Sequence, residues 1–538
     1  MSSHHTRPVL FSLAAFVLLA AMHMWPMPSA PRHWSRVEGD GALNVWAAGW
    51  VGHTLVHAPS RLFDANIFYP EKRTLAFSEA MLVQGALAAP VMALDGDAVL
   101  AYNASSFIGF VLTGWAFCWL VWRWTGCWSA GYIAGSLAAF NAFTLVHLTH
   151  LQFLHAEFFA VILFGLDRLI VARRLGDVAT LAAGFVLNAF TSIYLMVFSV
   201  WLVLFASLAR ARELLRGGAS TIGRIAAAGA VAALLLSPYL AQYGAVSKAM
   251  GFVRGADEGE AASLVNYAST GSRVHYERWS RDFSVLATSN TFPGFVALAL
   301  MVVAFSDRRN TADPRFQMCA VAAAGCAAVS FAPLLPFYRT LHESIPLFQA
   351  VRALHRIGQV VLLLVAVLAG FGMASLAGSW RHARSWPVVV LAVLLLVNGE
   401  ALRAPIGYTW FDGVPDVYDA LAEEPGVVVA EAPFPMPQQW FLNAPYMVNA
   451  TRHWKPILNG YSGFRPPSYE RSYEAMRGFP SDESLLALSA LGVTHIVVHQ
   501  RAMNHGAPDD RFNPYENVAS LHLIARDDDV LIYRLLRR

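Results

Sequence analysis

The residues whose types and spacing suit chemistry lie mostly between apolar runs. Glu38 and Asp40, separated by Gly39 and followed by Gly41, put two carboxylates two residues apart in a flexible turn. Such a pair can hold a cation or act singly as a general base, and the glycines let a substrate approach the backbone. The same pair reads equally as an acidic turn in which Asp40 caps the helix that follows. Downstream, Asp64, Asn66 and Tyr69 form a polar cluster suited to a polar head group, and the segment ends at Ser78-Glu79. A turn-rich connector would have the same composition. A second acidic pair, Asp95 and Asp97 around Gly96, is explained by a glycine-flanked turn that opens a helix.

His147, His150, Gln152, His155 and Glu157 crowd one short segment. Its imidazoles and amide can hydrogen-bond a phosphate or a sugar hydroxyl, or serve as helix caps. Arg352, His355 and Arg356 precede a long apolar run. Cations on the outer side of a membrane run against the positive-inside bias and need an anionic partner, either lipid phosphate or the phosphate of a bound substrate. The mixed run Arg273, His275, Glu277, Arg278 and Arg281 reads as a solvated face. His453 and Trp454 open a stretch that continues Asn459-Gly460-Tyr461-Ser462-Gly463. Glycine, proline and aromatics there supply a rigid surface of the kind carbohydrate faces prefer, or one that packs against the rest of the chain. No GxSxG, Walker loop, HExxH or GxGxxG occurs, which argues against the common hydrolase, nucleotidase, metalloprotease and dinucleotide classes.

The elements that must position these groups are mostly apolar. Of 538 residues, 56% are hydrophobic and 14% charged, against roughly 25% charged in soluble domains. That excludes a soluble globular enzyme and a disordered chain. A net charge of +3 gives no support to nucleic-acid binding. The four cysteines lack any CxxC or Cys/His spacing that would make a zinc site. Apolar runs at 9–25, 99–121, 128–146, 153–171, 179–208, 222–240, 292–305, 316–335, 358–376 and 386–397 predict a mainly α, polytopic protein of about eleven transmembrane helices. The 179–208 run counts twice. Arg173 and Arg174 precede it and Arg210, Arg212 and Arg216 follow it, so both ends are cytoplasmic and the run is a tight hairpin of two short spans.

The N-terminus is then cytoplasmic and the C-terminus outside, with long outer segments at 26–98, at 239–291 and after 398. The chain divides into a membrane part, 1–399, and an extracytoplasmic module, 400–538, with a sharp shift toward proline and charge. In the module, apolar β-branched runs at 426–430, 494–498 and 530–533 predict buried strands and 484–491 a helix, which makes a small α/β domain.

Taken in order over most of the chain, these motifs resemble the GT-C superfamily of integral-membrane glycosyltransferases. The resemblance rests on Glu38-Gly-Asp40 in a long first outer loop, His150-Leu-Gln152, and the Thr191-Ser192-Ile-Tyr194 hairpin. It rests also on Arg352-Ala-Leu-His355-Arg356 with Gly370-Phe371-Gly372 beyond it, and on the loop from His453 to Gly463. It implies transfer of a sugar, with inversion, from a polyprenyl-phosphate donor to a glycan, lipid or protein acceptor on the outer face of a bacterial inner membrane. Asp40 would be the base, and Glu38 its helper or, with it, the ligand of a divalent cation such as Mg or Mn. Substrate contacts would fall to Asp64, Asn66, Tyr69, Glu79, His150, Gln152, His155, Arg352, His355, Arg356 and His453, the arginines serving the leaving phosphate. The rival readings are a transporter or flippase of lipid-linked saccharides, and a non-catalytic scaffold whose outer module binds glycan or a partner. Transporters usually show repeat symmetry and ionisable groups at mid-bilayer, whereas the ionisable residues here gather toward one surface.

Overall fold

The computed structural model describes residues 3–252, 255–503, 515 and 518–536. The chain is a mostly helical membrane protein. Four helical stretches are long and apolar enough to cross a bilayer: Ala98–Thr125, Trp128–Val146, Ala211–Met250 and Leu354–Trp380. Six shorter apolar helices accompany them among the described residues. The chain forms two compact units. One comprises Met1–Ser29, Ser106–Pro238 and Val253–Gly407, the other Ala30–Ser105, Tyr239–Phe252 and Tyr408–Arg538. Residues 30–105, which take in most of the outer loop expected at 26–98 in the membrane part and the start of the run at 99–121, thus belong by their packing with the C-terminal segment.

The first unit is helical and built around Gly358–Trp380, which is buried along nearly its whole length. It packs against the helices Trp128–Ala139, Phe295–Ser306 and Pro314–Ser330. Gly372 allows the tightest of these approaches, because a Cβ there would lie 2.0 Å from the Leu300 carbonyl oxygen. Small residues at helix crossings are the usual means of bringing backbones together in a bilayer. The 179–208 run divides as its flanking charges predict: helices Leu175–Thr191 and Ile193–Ala209 meet at the extended Ser192, whose side chain caps the second through the Tyr194 N–H.

The arginines used to orient that hairpin are not all solvated loop charges. Arg210 is 2% exposed and pairs with Asp167 at 2.9 Å and with Glu213, while Arg315 reaches the other Asp167 oxygen at 3.2 Å. One carboxylate therefore ties three helix ends together: Asp167 lies on Glu157–Val171, Arg210 closes Ile193–Ala209, and Arg315 opens Pro314–Ser330.

In the second unit, the helices Asp40–His57 and Leu82–Leu94 pack face to face. The segment after Tyr408 carries a mixed sheet of four strands, β3 (Val429–Ala432), β4 (His495–His499), β5 (Leu521–Arg526) and β6 (Val530–Leu535), in the order β3-β4-β6-β5. β3 and β4 run parallel and the other pairs antiparallel. Three of these strands and the helix Asp482–Ala490 fall where the apolar runs predict them; β5 was not anticipated. A short antiparallel pair, β1 (Trp34–Ser35) with β2 (Thr409–Trp410), joins the two ends of the unit.

The sheet extends beyond β3. The Val429 N–H donates to the Pro456 carbonyl and the Leu458 N–H to that of Val429. On the far side of this segment, Ile457 N–H donates to Asn66 O at 2.7 Å, Tyr69 N–H to Ile457 O, and Phe68 N–H to Asn459 O. Residues 66–69 of the first loop are thus paired, backbone to backbone, with the C-terminal segment.

Glu431 lies at the centre of β3 with no exposure. It accepts from the Tyr418 hydroxyl at 3.0 Å and faces His499 Nε2 at 2.7 Å. Burial disfavours the imidazolium, but the Glu431 hydrogen bond and charge, with Asp529 and Asp527, outweigh it and raise the His499 pKa above its usual value.

Two expectations follow. Asp167→Asn removes one of the two carboxylates that hold buried Arg210, and the carboxylate that Arg315 shares, and should destabilise the protein by about 1–3 kcal/mol, whereas Arg309→Ala, at an exposed guanidinium, should change stability by less than about 0.5 kcal/mol; thermal unfolding in detergent compares them. A group whose folded pKa is raised stabilises fully below its unfolded value and loses that contribution as pH rises through the folded one. The melting temperature should therefore fall as the pH is raised from about 6, and His499→Gln should flatten that slope.

Candidate functional site

Each unit assembles one cluster of the residues singled out by the sequence. In the second unit, Asp40 is the first residue of its helix. Gly39, at φ 51°, occupies the N-cap position in a conformation that favours glycine, and no side chain caps the turn. The Asp40 carboxylate instead accepts a 2.7 Å hydrogen bond from the Tyr461 hydroxyl. Glu38 is exposed. Tyr461 is held in place by the edge of Trp440 at 5.1 Å and by its own N–H on the Met447 sulfur. Gly460 and Gly463, on either side of it, lie against the Phe68 ring and the Phe77 carbonyl. The glycines read in sequence as a stacking surface are therefore close-approach positions for the first loop.

Glu79 lies on a stretch pinned at both neighbours. The Tyr243 hydroxyl donates to the Ser78 carbonyl and accepts from the Ala80 N–H, each at 3.1 Å. The polar cluster upstream separates into two roles. Asn66 is buried, accepting from the Trp46 indole and donating to the Lys455 carbonyl, and so knits the unit at the wall of a cavity. Asp64, which accepts from the Arg73 N–H, and Tyr69 line a cavity. His453 turns inward: it is buried against Tyr418, its Nδ1 accepts the Lys455 N–H, and burial with the Lys455 charge pushes its pKa down to about 3. The acidic pair at Asp95 and Asp97 behaves as the bland reading has it. Asp97 accepts the Leu100 N–H at the start of a helix, and both carboxylates pair with Arg32.

In the first unit, three motifs distant in sequence converge. The Arg356 guanidinium lies 5.4 Å from the ring centres of both Phe153 and Tyr194. Phe153 contacts the rings of His150 and His147, and the Tyr194 hydroxyl accepts the Ala353 N–H. The Arg356 Nε is buried without a hydrogen-bond partner among the described residues, as are Oε1 of Gln152 and of Gln359.

Arg352 and His355, by contrast, already have an anion. Glu260 takes the Arg352 Nε at 3.0 Å and faces His355 Nε2 at 3.2 Å, while His355 Nδ1 reaches the Ser289 hydroxyl. The His355 hydrogen bond, followed by the Arg352 charge and against the cost of partial burial, holds the Glu260 carboxyl below the usual range. The anionic partner that Arg352 was expected to find in a lipid or substrate phosphate is thus supplied by the chain. His155 lies apart, fully buried on Glu157, which also accepts from Thr113.

No family model matches the chain, and no curated protein matches it significantly. Among solved structures it is similar to the arabinofuranosyltransferase AftD from mycobacteria, at a TM-score of 0.60 and 15% identity over 99% of this chain and 40% of that one. The chain carries the GT-C glycosyltransferase fold. It spans about two fifths of the length of AftD. Two further GT-C structures match at lower TM-scores of 0.46. ArnT from Cupriavidus metallidurans bound to undecaprenyl phosphate is 12% identical over 98% of both chains. The Archaeoglobus fulgidus oligosaccharyltransferase complex with Zn and sulfate is 10% identical over 92% of this chain and 68% of that one.

Within this fold the sequence reading passed over Glu260, Tyr243 and Arg36, and it valued Tyr461 only as part of a stacking loop. Glu260 and Tyr461 act through partners 95 and 421 residues away, and nothing local marks them. Arg36, two residues before Glu38, has a buried Nε with no hydrogen-bond partner among the described residues. Nor do Glu38 and Asp40 gain the donors a divalent cation needs, since no group of three or more His, Cys, Asp or Glu among the described residues is placed to hold one. No step below runs through a metal.

Gly460→Ala places a Cβ 2.7 Å from the Phe68 ring, and over-packing a rigid contact costs about 1–3 kcal/mol. The melting temperature should fall, and limited proteolysis should cut the 459–463 loop faster than in wild type.

Proposed function

We propose that this protein is a membrane glycosyltransferase that moves a sugar from a polyprenyl-phosphate donor to an acceptor hydroxyl on the extracytoplasmic face, inverting the anomeric carbon, with Asp40 as the base. The reading implies about eleven spans, a cytoplasmic N-terminus, and an outer location for the second unit with its small α/β module. The observation that carries it is the Asp40–Tyr461 hydrogen bond. A carboxylate at the start of a helix, oriented by a phenol, is a group of the right chemistry to take a proton from an acceptor hydroxyl.

In the proposed step the acceptor oxygen attacks the anomeric carbon as its proton passes to the Asp40 carboxylate. The bond from that carbon to the phosphate oxygen breaks, and the polyprenyl phosphate leaves with the electron pair. Tyr461 is a positioning residue, since its hydroxyl keeps the carboxylate aimed. The departing phosphate gains negative charge and needs a cation not already neutralised. In the first unit Arg356 is a cation of that kind, with its Nε lacking a hydrogen-bond partner among the described residues and its guanidinium set against two aromatic rings. Arg352 and His355, engaged by Glu260, would shape that neighbourhood rather than bind the phosphate directly. His150 and Gln152 remain candidates for the same head group, and Glu79 for support of the base.

The test is release of polyprenyl phosphate from polyprenyl-phosphate sugars by the purified full chain. Asp40→Asn should lower the rate by about 10²–10⁴-fold while the protein folds. Tyr461→Phe should cost about tenfold and Arg356→Gln about 10–100-fold. An undiminished rate in Asp40→Asn removes the base assignment. Donor binding without release in any form, with acceptors supplied, returns the transporter and scaffold readings.

A further inference from the structure

Trp454 is the least comfortable aromatic in the second unit. Its φ of 54° puts a bulky side chain in the left-handed region, where such residues are rarely found unless their surroundings hold them. The surroundings do so here. The indole lies nearly parallel to the His53 ring at 4.7 Å and tilted to Trp50 at 5.8 Å, and Gly49 leaves room for its edge, since a Cβ there would come within 3.3 Å of it. Burial, with His57 alongside, pushes the His53 pKa down to about 4, so near neutrality its ring is an uncharged donor and acceptor.

Held this way, Trp454 is a wall shared by two cavities of the same unit. One, of about 340 Å³, is lined by Trp50, His53 and Tyr69 with Asp64, Glu71 and Lys72 among its polar groups. The other, of about 620 Å³, is lined by Arg32, Asp97, Asp412, Asp416 and Arg452. Both sizes fall in the range of small-molecule sites.

The charges in the second cavity are largely spent on one another. Arg32 bonds Asp95 and Asp97, and Arg452 bonds Asp416 and Asp419. The first cavity sets Arg61, Lys72 and Lys455 beside Asp64 and Glu71. The second cavity has more carboxylates than cations, which does not suit an anion, and neither interior offers the unbroken apolar surface that an acyl chain would require. What both offer is many hydrogen-bonding groups beside a fixed aromatic plane, which matches a flat, hydroxyl-rich and uncharged ring. Two such spaces that share one indole in their walls match consecutive rings of a chain.

We propose that Trp454 and its two flanking cavities form a binding site for a neutral oligosaccharide, which holds the acceptor glycan. The acceptor role rests on the glycosyltransferase reading above; the binding does not. Of the residues that line these cavities, Asp64, Asn66 and Tyr69 were singled out as ligand contacts by the sequence, and Asp40 is not among them.

The test uses the full chain in nanodiscs and saturation-transfer NMR with maltotriose, α-mannotriose and β-galactotriose as probes, and glucose for comparison. At least one trisaccharide should bind, with magnetisation arriving from indole protons, and about tenfold more tightly than glucose. Trp454→Ala should weaken it about tenfold. Because that variant removes packing as well as a wall, Glu71→Ala, at a half-exposed carboxylate, is the second probe and should weaken binding about threefold. Absence of binding by all three trisaccharides, or binding unchanged in both variants, overturns the site. Sugar transfer by a wild-type protein that binds none of them also overturns it while glycosyl transfer stands. Trisaccharide binding without any transfer upholds the site and removes its acceptor role.

Discussion

The backbone hydrogen bonds between residues 66–69 and 457–459 are what the second unit depends on. They add a piece of the first loop to the margin of a sheet that otherwise belongs wholly to the C-terminal segment. Main-chain pairing of this kind fixes register, because sliding by one residue would exchange the two faces of the added strand. Register in turn decides the chemistry. With Asn66 under Lys455 and Phe68 opposite Asn459, the next residues of the C-terminal segment, Gly460 and Tyr461, come over the Phe68 ring and onto Asp40. The hydroxyl that orients the carboxylate is thus a consequence of sheet pairing. This is why a loop that looks like a flexible connector in sequence can hold a carboxylate at hydrogen-bond precision.

The first unit meets a different constraint. Its interior is almost wholly apolar, so each ionisable group inside it must find a partner. Asp167 with Arg210 and Arg315, and Glu157 with His155, satisfy that rule on two sets of helix ends. Such pairs add little net stability over apolar packing, but removing either member is costly, and they therefore specify which helix ends meet.

Much of this was legible in the residues. Long apolar runs marked the helices, and flanking arginines divided the 179–208 run at Ser192. β-branched runs marked β3, β4 and β6 because those strands are buried on both faces, whereas β5 is an edge strand of mixed and half-exposed residues whose pattern resembles a loop. Asp97 read correctly as a cap because its partner is local. The same logic explains the misses. A charge-counting rule treats Arg210 as a solvated cytoplasmic cation, since Asp167 lies 43 residues away. His453 looked available for a ligand because aromatic neighbours in sequence say nothing of Tyr418, which covers it. Glu260 sits in a stretch of Gly, Glu and Ala with no periodicity, and only the fold brings it to Arg352.

The placement of Glu260 bears directly on function. A cluster of two arginines and a histidine at the start of a helix could be wholly neutralised by the chain, as a scaffold would prefer, or wholly open, which would be costly beside an apolar core. Neither holds. Glu260 takes Arg352 and His355, and Arg356 turns its guanidinium between Phe153 and Tyr194 with Nε buried and unsatisfied among the described residues. Aromatic faces stabilise a cation only in part, and a buried donor without an acceptor carries a desolvation cost. A fold that sets one carboxylate against Arg352 and His355 and leaves Arg356 to two rings keeps an excess of positive charge there, together with a donor that needs an acceptor. An anionic oxygen answers both needs at once. That combination is of little use to a scaffold and of direct use where a phosphate must be held while it becomes a leaving group, which is why the charge distribution favours the enzyme reading.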